Sequence, residues 1–246
     1  MPLQPAAKSS TERELSLMQD DLNLIMKAMQ ENLQYEKNKK LENYRRLNRL
    51  AKKGAVLFTG SSLMEQFPIC ELLQSHGIEH TVYNRGIGGF TTAEFLEHMD
   101  TMLLDLAPSA VFLNIGTNDL NQSSDANDGW METLLHNYSE ILRRCREQLP
   151  DTSLSIMAFY PMNEALPGAP EHLAHLFCAR SNQKILQINE KLQDLASAHG
   201  CRYLDVNQGL TNADGQLKPE YTVDGVHLYS SAYEVVFRNL LPYLCG

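Results

Sequence analysis

The alternation that begins at Gly54 constrains this chain most. Short apolar runs at Ala55–Thr59, His80–Asn84, Ala110–Ile115, Leu154–Tyr160 and Arg202–Val206 are separated by helix-like stretches near 91–106, 129–148, 171–199 and 230–244. Brief runs rich in β-branched and aromatic residues read as buried parallel strands. Strand–helix alternation then predicts a doubly wound α/β sheet with helices on both faces. Ligands on such sheets bind beyond the carboxyl ends of the strands, so the residues that close each run carry the functional argument.

Ahead of Gly54 the texture differs. Thr11-Glu12-Arg13-Glu14 fits a capping box, a hydroxyl followed three residues later by a carboxylate. Leu15, Met18, Leu22, Ile25 and Met29 then recur at helical spacing, the pattern decays at Glu36–Lys40, and it resumes with Leu41, Tyr44, Leu47 and Leu50. This predicts one or two helices across about 11–52, an extension over 1–53 ahead of a main domain over 54–246. Their apolar stripe can pack on the chain's own domain or on a second copy, giving a homodimer; the seam is too short for a coiled coil. Charge changes at the same place. Residues 1–53 carry 11 Lys and Arg against 7 Asp and Glu, while the remainder is strongly acidic and brings the total to −9. That balance excludes nucleic acid as the main partner.

Four strand ends carry candidate chemistry. The first run closes on Thr59-Gly60-Ser61-Ser62-Leu63, where a glycine turns the chain into a helix and Ser62 meets free N–H groups; taken alone, such a segment is more often a plain turn and cap. The second closes on Asn84-Arg85-Gly86-Ile87-Gly88-Gly89-Phe90-Thr91, dense in glycine and open to close backbone approach. Thr91 stands where a dinucleotide fingerprint needs its third glycine, and no Lys-Ser/Thr pair marks a phosphate loop. The third leads into Gly116-Thr117-Asn118-Asp119, where Asn118 closes an Asx-turn or offers an amide donor to an oxyanion. Asp224-Gly225-Val226-His227 precedes the last helix. A carboxylate three residues ahead of an imidazole can fold back through the glycine and bond its Nδ1–H, as triad chemistry requires.

Taken jointly, in the order Ser, Gly, Asn, Asp/His, these pieces resemble the SGNH (GDSL-like) hydrolase superfamily, which includes GDSL lipases, platelet-activating-factor acetylhydrolase-like proteins and carbohydrate acetylesterases. The resemblance covers about residues 54–244. It implies a three-layer α/β/α sandwich on a five-stranded parallel sheet of flavodoxin-like type. It further implies Ser62 as nucleophile, His227 as general base and acid, Asp224 as its orienting carboxylate, and an oxyanion hole from the N–H groups of Ser62 and Gly89 with the Asn118 side chain. Gly89 is preferred to Gly88 because the family's donor glycine directly precedes the position of Phe90. Ser61 and Phe90 replace aspartates usual in the family, which unsettles local hydrogen bonding and the acyl pocket. No GxSxG elbow surrounds Ser62, against an α/β-hydrolase.

The expected activity is therefore metal-free and cofactor-free ester hydrolysis through an acyl-enzyme, on a small-molecule ester with a short, acetyl-type acyl group. A lysophospholipase, thioesterase, acyltransferase or non-catalytic binding protein on the same fold are the alternatives. His172 and His175 lack the HExxH pattern of a zinc site. Met162–Pro170 is expected to border the pocket, Trp130 to line the cleft or the core, and Arg85 to make a structural salt bridge in preference to meeting an anionic substrate. The five cysteines are odd in number and form no CxxC pair, which fits reduced thiols. With no signal peptide visible and no apolar stretch near the roughly 20 residues of a membrane span, a cytoplasmic location is expected.

Overall fold

The computed structural model describes residues 10–122, 129–168, 170 and 179–244. The first helix, α1, runs unbroken over Ser10–Asn48. Of the one or two helices expected over about 11–52 there is one, continuous through Glu36–Lys40. No glycine or proline falls within it, and side-chain pairs one turn apart support the polar stretch, among them Lys27–Glu31, Gln34–Asn38 and Lys39–Glu36. Two compact units divide inside this helix, between Asn43 and Tyr44. In the first, the stripe read from sequence is open to solvent: Met18, Leu22, Ile25 and Met29 are 69%, 51%, 56% and 63% exposed.

The second unit is built on five strands, β1 (Val56–Gly60), β2 (Val82–Gly86), β3 (Ala110–Asn114), β4 (Ser153–Met157) and β5 (Arg202–Leu204). All neighbours pair in parallel, in the order β2-β1-β3-β4-β5. The doubly wound α/β sheet expected from the alternation is thus present, each strand within a few residues of its predicted run. The chain leaves β1 toward one edge and returns at β3 on the other side. The crevice above β1 and β3 is accordingly the switch point of the topology.

Alternation along the central strands serves two cores. Phe58 stacks on Phe112 at 4.8 Å and meets the last helix, α8 (Ser230–Leu244), through Tyr233, Val236 and Phe237. On the opposite face Val111, Leu113 and Ile156 meet Ile141, Leu142 and Cys145 of α6 (Trp130–Gln148). Burial of these large side chains, roughly 1.5–3 kcal/mol each, is the main force closing the layers. Helix α7 (Asn182–Ala198) is capped by Ser181, which accepts from the Lys184 N–H.

The predicted helix over 91–106 is broken into α4 (Thr92–Glu97), α5 (Met99–Met102) and a 3-10 turn at Leu104–Leu106. Bends at His98 and Leu103 bring Met99, Met102, Leu103 and Leu106 into the core, each at most 1% exposed. Side chains take up carbonyls beside the break: Asn48 Nδ2 donates to Thr101 O at 2.8 Å and Thr59 Oγ1 to Met102 O at 3.1 Å. Packing has overruled propensity here. Among the described residues no helix is long and apolar enough to cross a membrane, and no three His, Cys, Asp or Glu side chains are grouped to hold a metal.

Candidate active site

Strand β1 ends where only glycine fits. A Cβ on Gly60 would lie 1.8 Å from the Asn114 carbonyl oxygen of β3. The same carbonyl accepts from the Ser61 N–H at 3.2 Å, so the chain is pinned to its neighbour strand one residue before Ser62. The short helix α2 (Ser62–Glu65) starts there. It is a single turn, too short for an appreciable macrodipole. Tyr233 Oη donates to the Leu63 carbonyl at 2.7 Å and ties α8 to this turn.

Asp224 and His227 form a closed turn. Gly225, at φ +97°, gives its N–H to Thr222 Oγ1 and its carbonyl to the Asn163 N–H, both at 2.8 Å. A Cβ there would sit 2.7 Å from the Asn163 oxygen, so the close approach needs glycine. Asp224 Oδ1 accepts the N–H groups of Val226 and His227, at 2.9 and 2.8 Å. Its Oδ2 lies 2.6 Å from His227 Nδ1, and His227 Nε2 lies 3.0 Å from Ser62 Oγ. With Nδ1–H donating to the carboxylate, the neutral ring turns an acceptor toward the serine hydroxyl. Burial pushes the Asp224 carboxyl up, but the His227 ring, the two backbone N–H groups and the imidazolium charge outweigh it and hold the group below its ordinary range.

The glycine loop separates its two candidate donors. Gly88 N–H donates to Glu65 Oε2 at 2.6 Å, whereas the N–H groups of Gly89 and Ser62 meet no hydrogen-bond acceptor among the described residues. Asn118 Nδ2 donates to the Phe90 carbonyl at 2.9 Å, and Asn118 Oδ1 accepts from Arg180 Nη2 at 2.9 Å. Arg180 Nε also donates to Asn121 Oδ1 at 2.8 Å. Burial lowers the Arg180 guanidinium to about 10, opposed by the nearby Asp224 charge, and it remains a cation at neutral pH. Sequence reading passed over Arg180. It stands 62 residues from Asn118 and belongs to no motif.

Asp119 of the same block is structural. Its carboxylate accepts the Thr92 N–H at 3.0 Å and the Thr92 hydroxyl at 2.5 Å, and Asn137 donates to that hydroxyl at 2.9 Å. Burial raises the Asp119 carboxyl despite these bonds.

The remaining expectations divide. Phe90 is buried, its ring 6.0 Å from that of His98, so the residue replacing the family aspartate packs in the core. Ser61 is also buried, and its hydroxyl has no partner among the described residues. Among the described residues Arg85 does not make the expected salt bridge. Its bonds go to Asn48 Oδ1 at 3.0 Å and the Asn84 carbonyl at 2.9 Å, with the guanidinium over the Tyr44 and Tyr83 rings. A narrow pocket is lined by Leu63, Tyr160, Pro161, Met162, Arg180 and Val226, among others; of the Met162–Pro170 segment expected to border the pocket, Met162 alone lines it among the described residues, and Trp130 does not. Cys70, Cys145 and Cys201 are free thiols. His172, His175, Cys178 and Cys245 lie outside the described residues.

Residues 67–235 match the GDSL-like Lipase/Acylhydrolase family, a segment that begins just after Ser62 and includes Gly89, Asn118, Asp224 and His227. A candidate platelet activating factor from Streptococcus pneumonia superposes with a TM-score of 0.79 at 32% identity, covering 90% of this chain and 99% of that one. The human platelet-activating factor acetylhydrolase IB subunit alpha1 is 24% identical over 191 residues, 77% of this chain and 74% of that protein. An acetyl-xylooligosaccharide esterase variant from Geobacillus Stearmophilus shares the fold, with a TM-score of 0.60 at 15% identity over 79% of this chain and 95% of that one.

Proposed function

The chain belongs to the GDSL-like lipase/acylhydrolase family, and from that premise we propose that it is a serine esterase for short, acetyl-type esters of a carbohydrate or small alcohol. The observation that carries the reading is the relay Ser62 Oγ–His227 Nε2–Asp224, with contacts of 3.0 and 2.6 Å. His227 Nε2 accepts the hydroxyl proton as Ser62 Oγ attacks the ester carbonyl. The tetrahedral oxyanion faces the N–H groups of Ser62 and Gly89 and Asn118 Nδ2. His227 then returns the proton to the departing alkoxide, leaving an acyl-Ser62 ester. A water, deprotonated by His227, attacks that ester; the acid departs and Ser62 recovers its proton. Asp224 holds the imidazole in this tautomer and steadies the imidazolium.

Two features support a short acyl group. A narrow pocket is walled by Leu63 and Val226, the chain neighbours of Ser62 and His227, together with Tyr160 and Met162, and the human relative is by name an acetylhydrolase. The test is hydrolysis of p-nitrophenyl esters from acetyl to dodecanoyl, wild type beside Ser62→Ala. The expected result is a rate falling with chain length and a loss of roughly 10³-fold or more in the variant. Equal activity of Ser62→Ala would remove the serine mechanism; a preference for long chains would remove the acetyl reading.

A further inference from the structure

Resting on the assignment of Asn118 as an oxyanion donor, we propose that Arg180 is a positioning residue for it, holding the amide with its N–H, not its oxygen, toward the reacting carbonyl. The two ends of an asparagine amide are close in size and opposite in function. If the side chain flips, a carbonyl lone pair faces the developing negative charge and the hole loses a donor. A guanidinium has donors only, so Arg180 Nη2 at 2.9 Å must meet Oδ1. The Phe90 carbonyl only accepts, so at 2.9 Å it must meet Nδ2. Both contacts exclude the flipped amide. One Nδ2 hydrogen is used on Phe90, and the second is left for the substrate oxygen.

Arg180 is itself held. It is 8% exposed, and its Nε reaches Asn121 Oδ1 at 2.8 Å in the 3-10 turn Asp119–Gln122 that follows Asn118. The guanidinium thus grips the amide and the turn that carries it. A charged donor on Oδ1 also polarises the amide and strengthens its N–H as a donor. The oxyanion exists only as the reaction proceeds, so the effect belongs in kcat rather than KM.

The experiment is a double-mutant cycle on p-nitrophenyl acetate, with kcat, KM and melting temperature for wild type, Arg180→Met, Asn118→Ala and the double variant. Asn118→Ala should lower kcat about 10²- to 10³-fold, and Arg180→Met about 10- to 30-fold with KM nearly unchanged. Arg180→Lys should recover part of that loss, because an ammonium replaces one prong of the fork and not both. In the Asn118→Ala background Arg180→Met should cost nothing further in kcat. Additive losses would overturn the proposal, since Arg180 would then act independently of Asn118, as through its field on Asp224. An unchanged kcat in Arg180→Met would overturn it as well. An unchanged kcat in Asn118→Ala would instead remove the oxyanion assignment on which the proposal stands. Should Arg180→Met not fold, Asn121→Ala loosens the same grip away from the reacting atoms, and a loss of about threefold in kcat is expected there; no loss would count against the proposal.

Discussion

Two regions of this chain carry equally regular side-chain patterns and meet opposite fates. Along α1, Met18, Leu22, Ile25 and Met29 recur every three or four residues and stay more than half exposed. At the carboxyl edge of the sheet, Asn118, Asp119 and Arg180 are bonded to partners 27 to 62 residues away. Periodicity records which face of a helix is apolar and leaves open what covers it. A buried polar group is more informative, because leaving it unpaired costs roughly 1–3 kcal/mol, so its partner is specified along with it.

The sharpest way to break this contrast is at the carboxylate. Asp224→Asn should lower kcat/KM about 10⁴-fold, as loss of the tautomer lock does in serine triads, measured on p-nitrophenyl acetate. A loss under tenfold would mean that the polar edge is no more functional than the exposed stripe.

The Asp224 carboxylate also ties stability to pH. Its folded pKa lies below the ordinary value, so the stability it contributes is complete above about pH 3.9 and is lost as pH falls through the lower folded value. Asp224→Asn should therefore flatten the fall in unfolding free energy below that pH, read by urea denaturation. An unaltered slope would place the shift elsewhere.

A smaller effect is expected at the end of α1 that belongs with the sheet. Asn48→Ala strips a donor from Thr101 O and an acceptor from Arg85, a loss of about 1–3 kcal/mol in denaturant unfolding. The smallest belongs to the stripe. Leu22→Glu combined with Ile25→Glu should shift monomer stability by no more than about 0.5 kcal/mol. A larger loss that grows with dilution, with a lighter species in sedimentation, would mean that a second copy covers this face.

The fold and most of the candidate site were legible because each mark is local. Strand ends, glycine density and the three-residue step from Asp224 to His227 all lie within single turns. Three features escaped for a shared reason, dependence on distant contacts. Arg180 meets Asn118 only after the chain has wound through β4. The Gly88 N–H is claimed by Glu65, 23 residues earlier, and nothing in the glycine block announces it. The 91–106 stretch has helical propensity throughout, yet Asn48 and Thr59 stabilise its breaks from elsewhere in the unit. Even the error over Arg85 follows this rule: its neutral partner Asn48 lies 37 residues away, where a local reading expects a carboxylate.

Ser62 and His227 are separated by 165 residues, and that distance has a temporal side. At a synthesis rate of about 5–20 residues per second, the serine is added to the chain roughly 8–33 s before the histidine. Throughout that interval the hydroxyl sits on a growing chain with no base to activate it. On the proposed triad, esterase activity would report how far synthesis has gone: a chain that ends before residue 227 lacks the imidazole that the Ser62 hydroxyl meets in the folded protein.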